Sequence, residues 1–174
     1  MLAPECRSWS IARMRTNVIS SASEPWGVAR PLKRGNKHIP AVLQLLGTLL
    51  KYRVPWALEN PQSSLLWKTP DFPKLLLRPD VSSCVFDQCA FGTPWRKRTR
   101  VMFGMCDYDD IEALGTYKCN SHKQCHYSRK PHVKLVGTMP GSSVPRTAIA
   151  QTYPTRLSRT LATILVAAAA DQPH

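Results

Sequence analysis

The chain has 174 residues, enough for one domain or one and a half small ones. Hydrophobic residues make up 43%, which excludes wholesale disorder. Lysine and arginine number 24 against 11 acidic residues, a formal charge of +13 that excludes an acidic-tail protein and points to an anionic partner, nucleic acid first.

The positive charge is spread along the chain rather than gathered in a tail. Residues 1–60 carry 9 basic and 3 acidic groups, residues 61–100 carry 7 and 3, and residues 101–174 carry 8 and 5. Near the N-terminus, Arg7, Arg13 and Arg15 occur without an apolar run, so no secretory signal is expected. The longest apolar stretch, Leu161 to Ala170, is shorter than the roughly 20 residues that span a bilayer. An intracellular protein (cytoplasmic or nuclear) is expected, with its six cysteines reduced and open to metal binding or nucleophilic chemistry.

In chain order, residues 1–10 have the pattern of a strand end running into a loop. Residues 16–38 are polar and irregular. Ile39 to Arg53 predicts a helix, because Ile39, Val42, Leu43, Leu46, Leu49 and Leu50 follow the 3.6-residue period and Pro40 suits a first turn. Val54 to Leu58 predicts a short buried strand ending at Glu59-Asn60-Pro61. Ser63 to Trp67 suggests a helix start. Val85 to Phe91 and Thr99 to Phe103 predict two strands joined through Gly92-Thr93-Pro94. Residues 104–145 show little apolar periodicity and hold most of the Cys and His. Ala148 to Ala170 predicts a closing helix broken near Pro154.

This layout predicts an α/β fold whose ligands gather at the carboxyl ends of strands. Cys6 and Glu59 each follow an expected strand end, which makes them candidates for one site.

Three segments carry a resemblance. Ala3-Pro4-Glu5-Cys6-Arg7-Ser8-Trp9-Ser10 presents a cysteine from a proline turn, with a serine four residues later. Leu58-Glu59-Asn60-Pro61 places a Glu-Asn pair at a strand end. Phe91-Gly92-Thr93-Pro94-Trp95-Arg96-Lys97-Arg98-Thr99-Arg100 follows a Gly-x-Pro turn with two arginines spaced by one residue. In this order the segments resemble the DNA cytosine-5 methyltransferase family, from its nucleophile-cysteine motif onward. Residues 148–161 are weakly similar to the family's last motif, a loop and helix folding back on the main domain.

The resemblance implies the second half of a Rossmann-like methyltransferase sheet with flanking helices. It divides the chain into a partial catalytic domain (1–103), a Cys/His-rich irregular segment (104–145) and a C-terminal helix packing back (146–174). It implies methyl transfer from S-adenosylmethionine to cytosine in DNA. Cys6 would be the thiolate that adds to carbon 6 of the ring. Glu59 would be the acid at its N3 edge. Arg98 and Arg100 would hold the extruded base and its phosphate, and Trp9, Ser10, Asn60 and Pro61 would line the substrate side. A one-residue gap on a strand puts both arginines on one face.

The sequence departs from the family in three ways. No Gly-rich loop with a following acidic residue is present to bind the cofactor, so the N-terminal cofactor-binding part is expected to be missing. Methyl transfer is then not expected from this chain alone, and a partner chain supplying that half, or descent as a remnant of a phage or mobile-element enzyme, is the corollary. Glu5 replaces the usual proline before the cysteine and disfavours its thiolate, which Arg7 opposes. Pro61 replaces the usual valine.

Cys106, Cys119, Cys125 and His132 could supply four zinc ligands to a segment with too little apolar pattern to fold on a core of its own. Cys84 and Cys89 fit core thiols of a strand. The alternative to an enzyme is a basic, zinc-stabilised nucleic-acid-binding module without catalysis, in which Cys6 is dispensable.

Overall fold

The structure is a computed structural model and describes residues 1–4, 38–120 and 123–172. Helix α1 (His38–Lys51) buries Ile39, Leu46 and Leu50, the stripe its apolar period predicts. Strand β1 is Trp56–Pro61, followed by a 3-10 turn at Leu65–Lys68 and the short helix α2 (Asp71–Leu75). Strand β2 is Val81–Asp87, a 3-10 turn spans Gln88–Phe91, and β3 is Arg98–Gly104. Helix α3 (Tyr108–Gly115), the single turn α4 (Arg146–Ile149) and the long helix α5 (Thr155–Ala170) complete the described chain.

The fold is mixed α/β, with helices around a small three-stranded antiparallel sheet in the order β1-β3-β2. Glu59 lies opposite Val101, Asn60 opposite Arg100, and Asp87 opposite Arg98. Beyond the free edge of β1, Leu2 forms a parallel bridge to Leu58. No helix among the described residues is long and apolar enough to cross a membrane.

Period-2 alternation splits the core into two. Trp56, Leu58 and Met102 face one side, against α1, Trp67 and Phe72. Ala57, Val101 and Phe103 face the other, against α3 and the Leu157/Leu161/Ile164 stripe of α5. Each fully buried large side chain contributes about 1.5–3 kcal/mol.

Several elements differ from the sequence expectation for identifiable reasons. β1 runs on through Glu59-Asn60-Pro61, because Pro61 sits at the strand's end, where its missing N–H does no harm. The expected strand Val85–Phe91 begins four residues earlier and stops at Asp87, where the chain turns through Gln88–Phe91 and ends at Gly92 with φ 94°. The stretch after Gly104 contains helix α3, capped by the Asp107 carboxylate accepting from the Asp109 and Asp110 amides. α3 docks through Ile111 and Leu114. The closing helix breaks before Pro154, whose extended backbone starts α5.

Gly104 lies opposite Trp56, and a Cβ there would run into the buried indole. Gly104→Ala is therefore expected to destabilise the fold by about 2–3 kcal/mol. A denaturant melt checks this, and an unmoved midpoint would contradict the packing.

Candidate functional site

Two clusters of polar side chains stand out, one at the end of β1 and one between β2 and the loop after α3.

The first is built on the β1 edge. The Leu2 amide donates to the Ala57 carbonyl at 2.7 Å, and the Glu59 amide donates to the Leu2 carbonyl at 2.9 Å. The Asn60 side-chain amide then donates to the Pro4 carbonyl at 3.0 Å. These bonds seat the chain beside Glu59 and Asn60 two residues before Cys6. Cys6, Trp9 and Ser10 themselves lie outside the described residues.

Glu59 is buried on the α5 side of the sheet. Tyr153, just before α5, donates its hydroxyl to Glu59 Oε2 at 2.7 Å. Lys97 Nζ lies 3.8 Å from Oε1, an ion pair too long for a hydrogen bond, and donates instead to the Ala150 carbonyl at 3.1 Å. Glu59 Oε1 and Asn60 Oδ1 are buried without a hydrogen-bond partner among the described residues. The Glu59 carboxylate thus has one oxygen hydrogen-bonded to Tyr153 and the other held only at ion-pair distance by Lys97. Tyr153→Phe removes the bond to Oε2 and is expected to cost about 2 kcal/mol of stability, read by thermal melting. An unchanged melt would show that this bond contributes nothing.

The arginines sit elsewhere. Strand alternation puts Arg98 and Arg100 on the same face as Asn60 and opposite to Glu59. Arg100 lies over the Trp67 ring at 5.6 Å, and burial draws its pKa below the ordinary guanidinium value. Arg98 forks onto Asp87, with Nε to Oδ1 and Nη2 to Oδ2 both at 3.1 Å, and this bond raises the Arg98 pKa. Pro61 accepts from the Trp67 indole N–H at 2.8 Å, so it braces the strand end.

The second cluster is a Cys3His group that can hold a metal ion. The donor atoms of Cys89, Cys119, Cys125 and His132 all lie within 4.8 Å of one another. Cys89 comes from the 3-10 turn after β2, and the other three from the loop beyond α3. Burial and the neighbouring Cys125 and Cys119 push the Cys89 thiol up. Burial opposes ionisation of Cys125 too, but hydrogen bonds from Ser128, Tyr127 and Cys89 outweigh it and bring that thiol down to about 6.

The expected ligand set changes in one member. Cys106 is not in the group. It donates to the Gly104 carbonyl at 3.4 Å and packs against the second core, and burial pushes its thiol up to about 11. Cys89 takes its place, and of the two expected core thiols only Cys84 lies in the main core. Cys89 reads as a strand thiol only while the strand is extended to Phe91. A turn at Asp87 would have signalled it. Lys97 lies within the Phe91–Arg100 segment, where the family resemblance gives it no role. Nothing in the sequence pointed to Tyr153, whose partner is 94 residues away.

No protein-family model, no curated protein and no solved structure matches this chain.

Proposed function

We propose that this chain carries the base-engaging half of a DNA cytosine-5 methyltransferase. The observation that carries the proposal is the seat of residues 2–4 along the β1 edge, where the Asn60 side chain donates to the Pro4 carbonyl two residues before Cys6 and Glu59 is buried in the adjacent strand position. The sheet gives further support. β1 and the Leu2 bridge are parallel, β2 runs parallel to β1, and β3 is the antiparallel insert between them. The parallel relation of Leu2, β1 and β2 is what the second half of a Rossmann-like sheet would require, with β3 making the sheet a mixed one.

In this mechanism DNA is drawn by the +13 charge, and the target cytosine leaves the stack. The Cys6 thiolate adds to carbon 6, forming a C–S bond. Glu59 meets the N3 edge and passes a proton to N3 as the ring electrons move, leaving carbon 5 electron-rich. Asn60 holds the nucleophile segment in place. Arg98 and Arg100, on the other face of the sheet end, serve the phosphate side of the strand.

The residues present do not fit S-adenosylmethionine. Among the described residues no Gly-rich loop joins a strand to a helix, and no acidic residue follows one to take a ribose. A second chain holding the cofactor is the partner this function calls for, besides DNA. The Cys3His group would hold zinc, the ion that three thiolates and an imidazole suit best.

The chemistry can be tested without a methyl donor. Carbon 5 of the adduct takes a proton from water, and reversal releases the original hydrogen. DNA bearing tritium at carbon 5 of cytosine should lose it to solvent with the native chain, and Cys6→Ser and Glu59→Gln should each abolish the release. No release from the native chain would overturn the proposal. DNA retention with no release would favour the non-catalytic module, which has one observation behind it: the arginines lie on the face opposite Glu59.

A further inference from the structure

We infer that Cys89, Cys119, Cys125 and His132 form a closed structural zinc site, and that Asp87 is a positioning residue tying this site to the paired arginines of β3. The inference rests on the zinc assignment above and is independent of methyl transfer.

The first ground is geometry. A tetrahedral zinc centre with Zn–S of about 2.3 Å and Zn–N of about 2.0–2.1 Å separates its donors by roughly 3.5–3.8 Å. Cys119 Sγ and His132 Nε2 lie 3.7 Å apart, the edge of such a tetrahedron. The second ground is burial. Cys89, Cys119 and Cys125 are each at most 2% exposed, in a cluster of buried residues made of these three alone. Three thiols give little apolar stabilisation, and an odd number cannot all pair as disulfides; none of the three is in a disulfide. The third ground is local donors. The His126 amide points at Cys119 Sγ at 3.3 Å, as an N–H stabilising a thiolate does. The described residues between Thr116 and His132 form neither helix nor strand, so a metal supplies the cross-link that apolar packing does not. Four protein ligands leave no open position, which makes the site structural.

Asp87 connects this centre to β3. It is fully buried, and its Oδ2 accepts from the Cys119 amide at 2.8 Å, from Arg98 Nη2 at 3.1 Å and from Arg96 Nε at 3.3 Å. One carboxylate thus fixes a ligand's backbone and the arginine side chains together. On the other side of the loop, the Val133 amide next to His132 donates to the Pro94 carbonyl at 2.8 Å.

The test uses the whole chain. Elemental analysis should give one zinc per chain. The cobalt-substituted protein should show a tetrahedral spectrum, with charge-transfer intensity matching three thiolates. Cys106→Ser should leave metal content and spectrum unchanged, while Cys89→Ser should lose one thiolate's intensity and bind zinc more weakly. Cys89→His, which keeps four donors, guards against a folding failure: it should remain tetrahedral with two thiolates. Asp87→Asn should weaken zinc binding by roughly 10–100-fold while keeping the three-thiolate spectrum. Full thiolate intensity in Cys89→Ser, or its reduction in Cys106→Ser, would overturn the ligand set. Unchanged zinc affinity in Asp87→Asn would overturn the role of Asp87. A chain with no metal would overturn the zinc assignment and this inference together, while leaving the tritium-release result to decide the methyl-transfer proposal.

Discussion

Stripping the metal from the Cys3His group is expected to loosen the loop between α3 and α4 without unfolding the sheet. Structural zinc supplies about 10–16 kcal/mol in small finger peptides that have no other core. This chain has two apolar cores that do not include the four ligands, so most of its stability does not depend on the ion. A loss of about 4 kcal/mol, or roughly 10 °C in Tm, is the expected share. The physical cause is the three buried thiols, which without a metal must be reprotonated or hydrated. Trypsin reads the outcome directly, because Lys118, Lys123, Arg129 and Lys134 lie along the loop. A strong chelator should expose these sites first and leave Arg98 and Arg100 protected. Equal digestion with and without chelator would contradict the cross-linking role.

Asp87→Ala has the second large expected effect. The carboxylate is fully buried and accepts from Arg96, Arg98 and the backbone of Cys119. Removing it strands the buried Cys119 amide, at about 1–3 kcal/mol. The two arginines are 28% and 44% exposed at their side chains, so water recovers part of their loss, and those ion pairs add only about 1 kcal/mol between them. The sum is about 2–4 kcal/mol. The loss should exceed that of Asp80→Ala, whose partner Arg78 is a surface residue. Urea melts of the two variants compare them, and equal midpoints would remove Asp87 from the central position given to it here.

The legible parts of the sequence were those governed by local periodicity. The α1 stripe from Ile39 to Leu50 and the break at Pro154 follow from spacing and proline chemistry alone. The β2 boundary was not legible, because Val85, Phe86, Ala90 and Phe91 are apolar whether the chain continues or turns. That single misplacement hid Cys89 among strand residues and let Cys106 take its place as a ligand. Helix α3 was missed because only Ile111 and Leu114 are buried on it, too few for a period to show. For the β1 cluster, Glu59 and Asn60 were visible as a strand-end pair. Tyr153 was not, because it meets Glu59 only through the docking of α5. Long-range partners of this kind leave no local trace.

The central proposal is that Cys6, two residues after the Pro4 carbonyl that Asn60 holds, delivers a nucleophile to a cytosine held at Glu59. It is tested most directly by locating the bond. DNA in which cytosine is replaced by 2-pyrimidinone, a base more electrophilic at carbon 6, should form a covalent adduct with the chain that survives denaturation. Peptide mapping should place the adduct on Cys6, and Glu59→Gln should slow its formation at least 100-fold, the lower end of a general acid's usual contribution. An adduct on any other cysteine, or none while the DNA is still bound, would contradict the account.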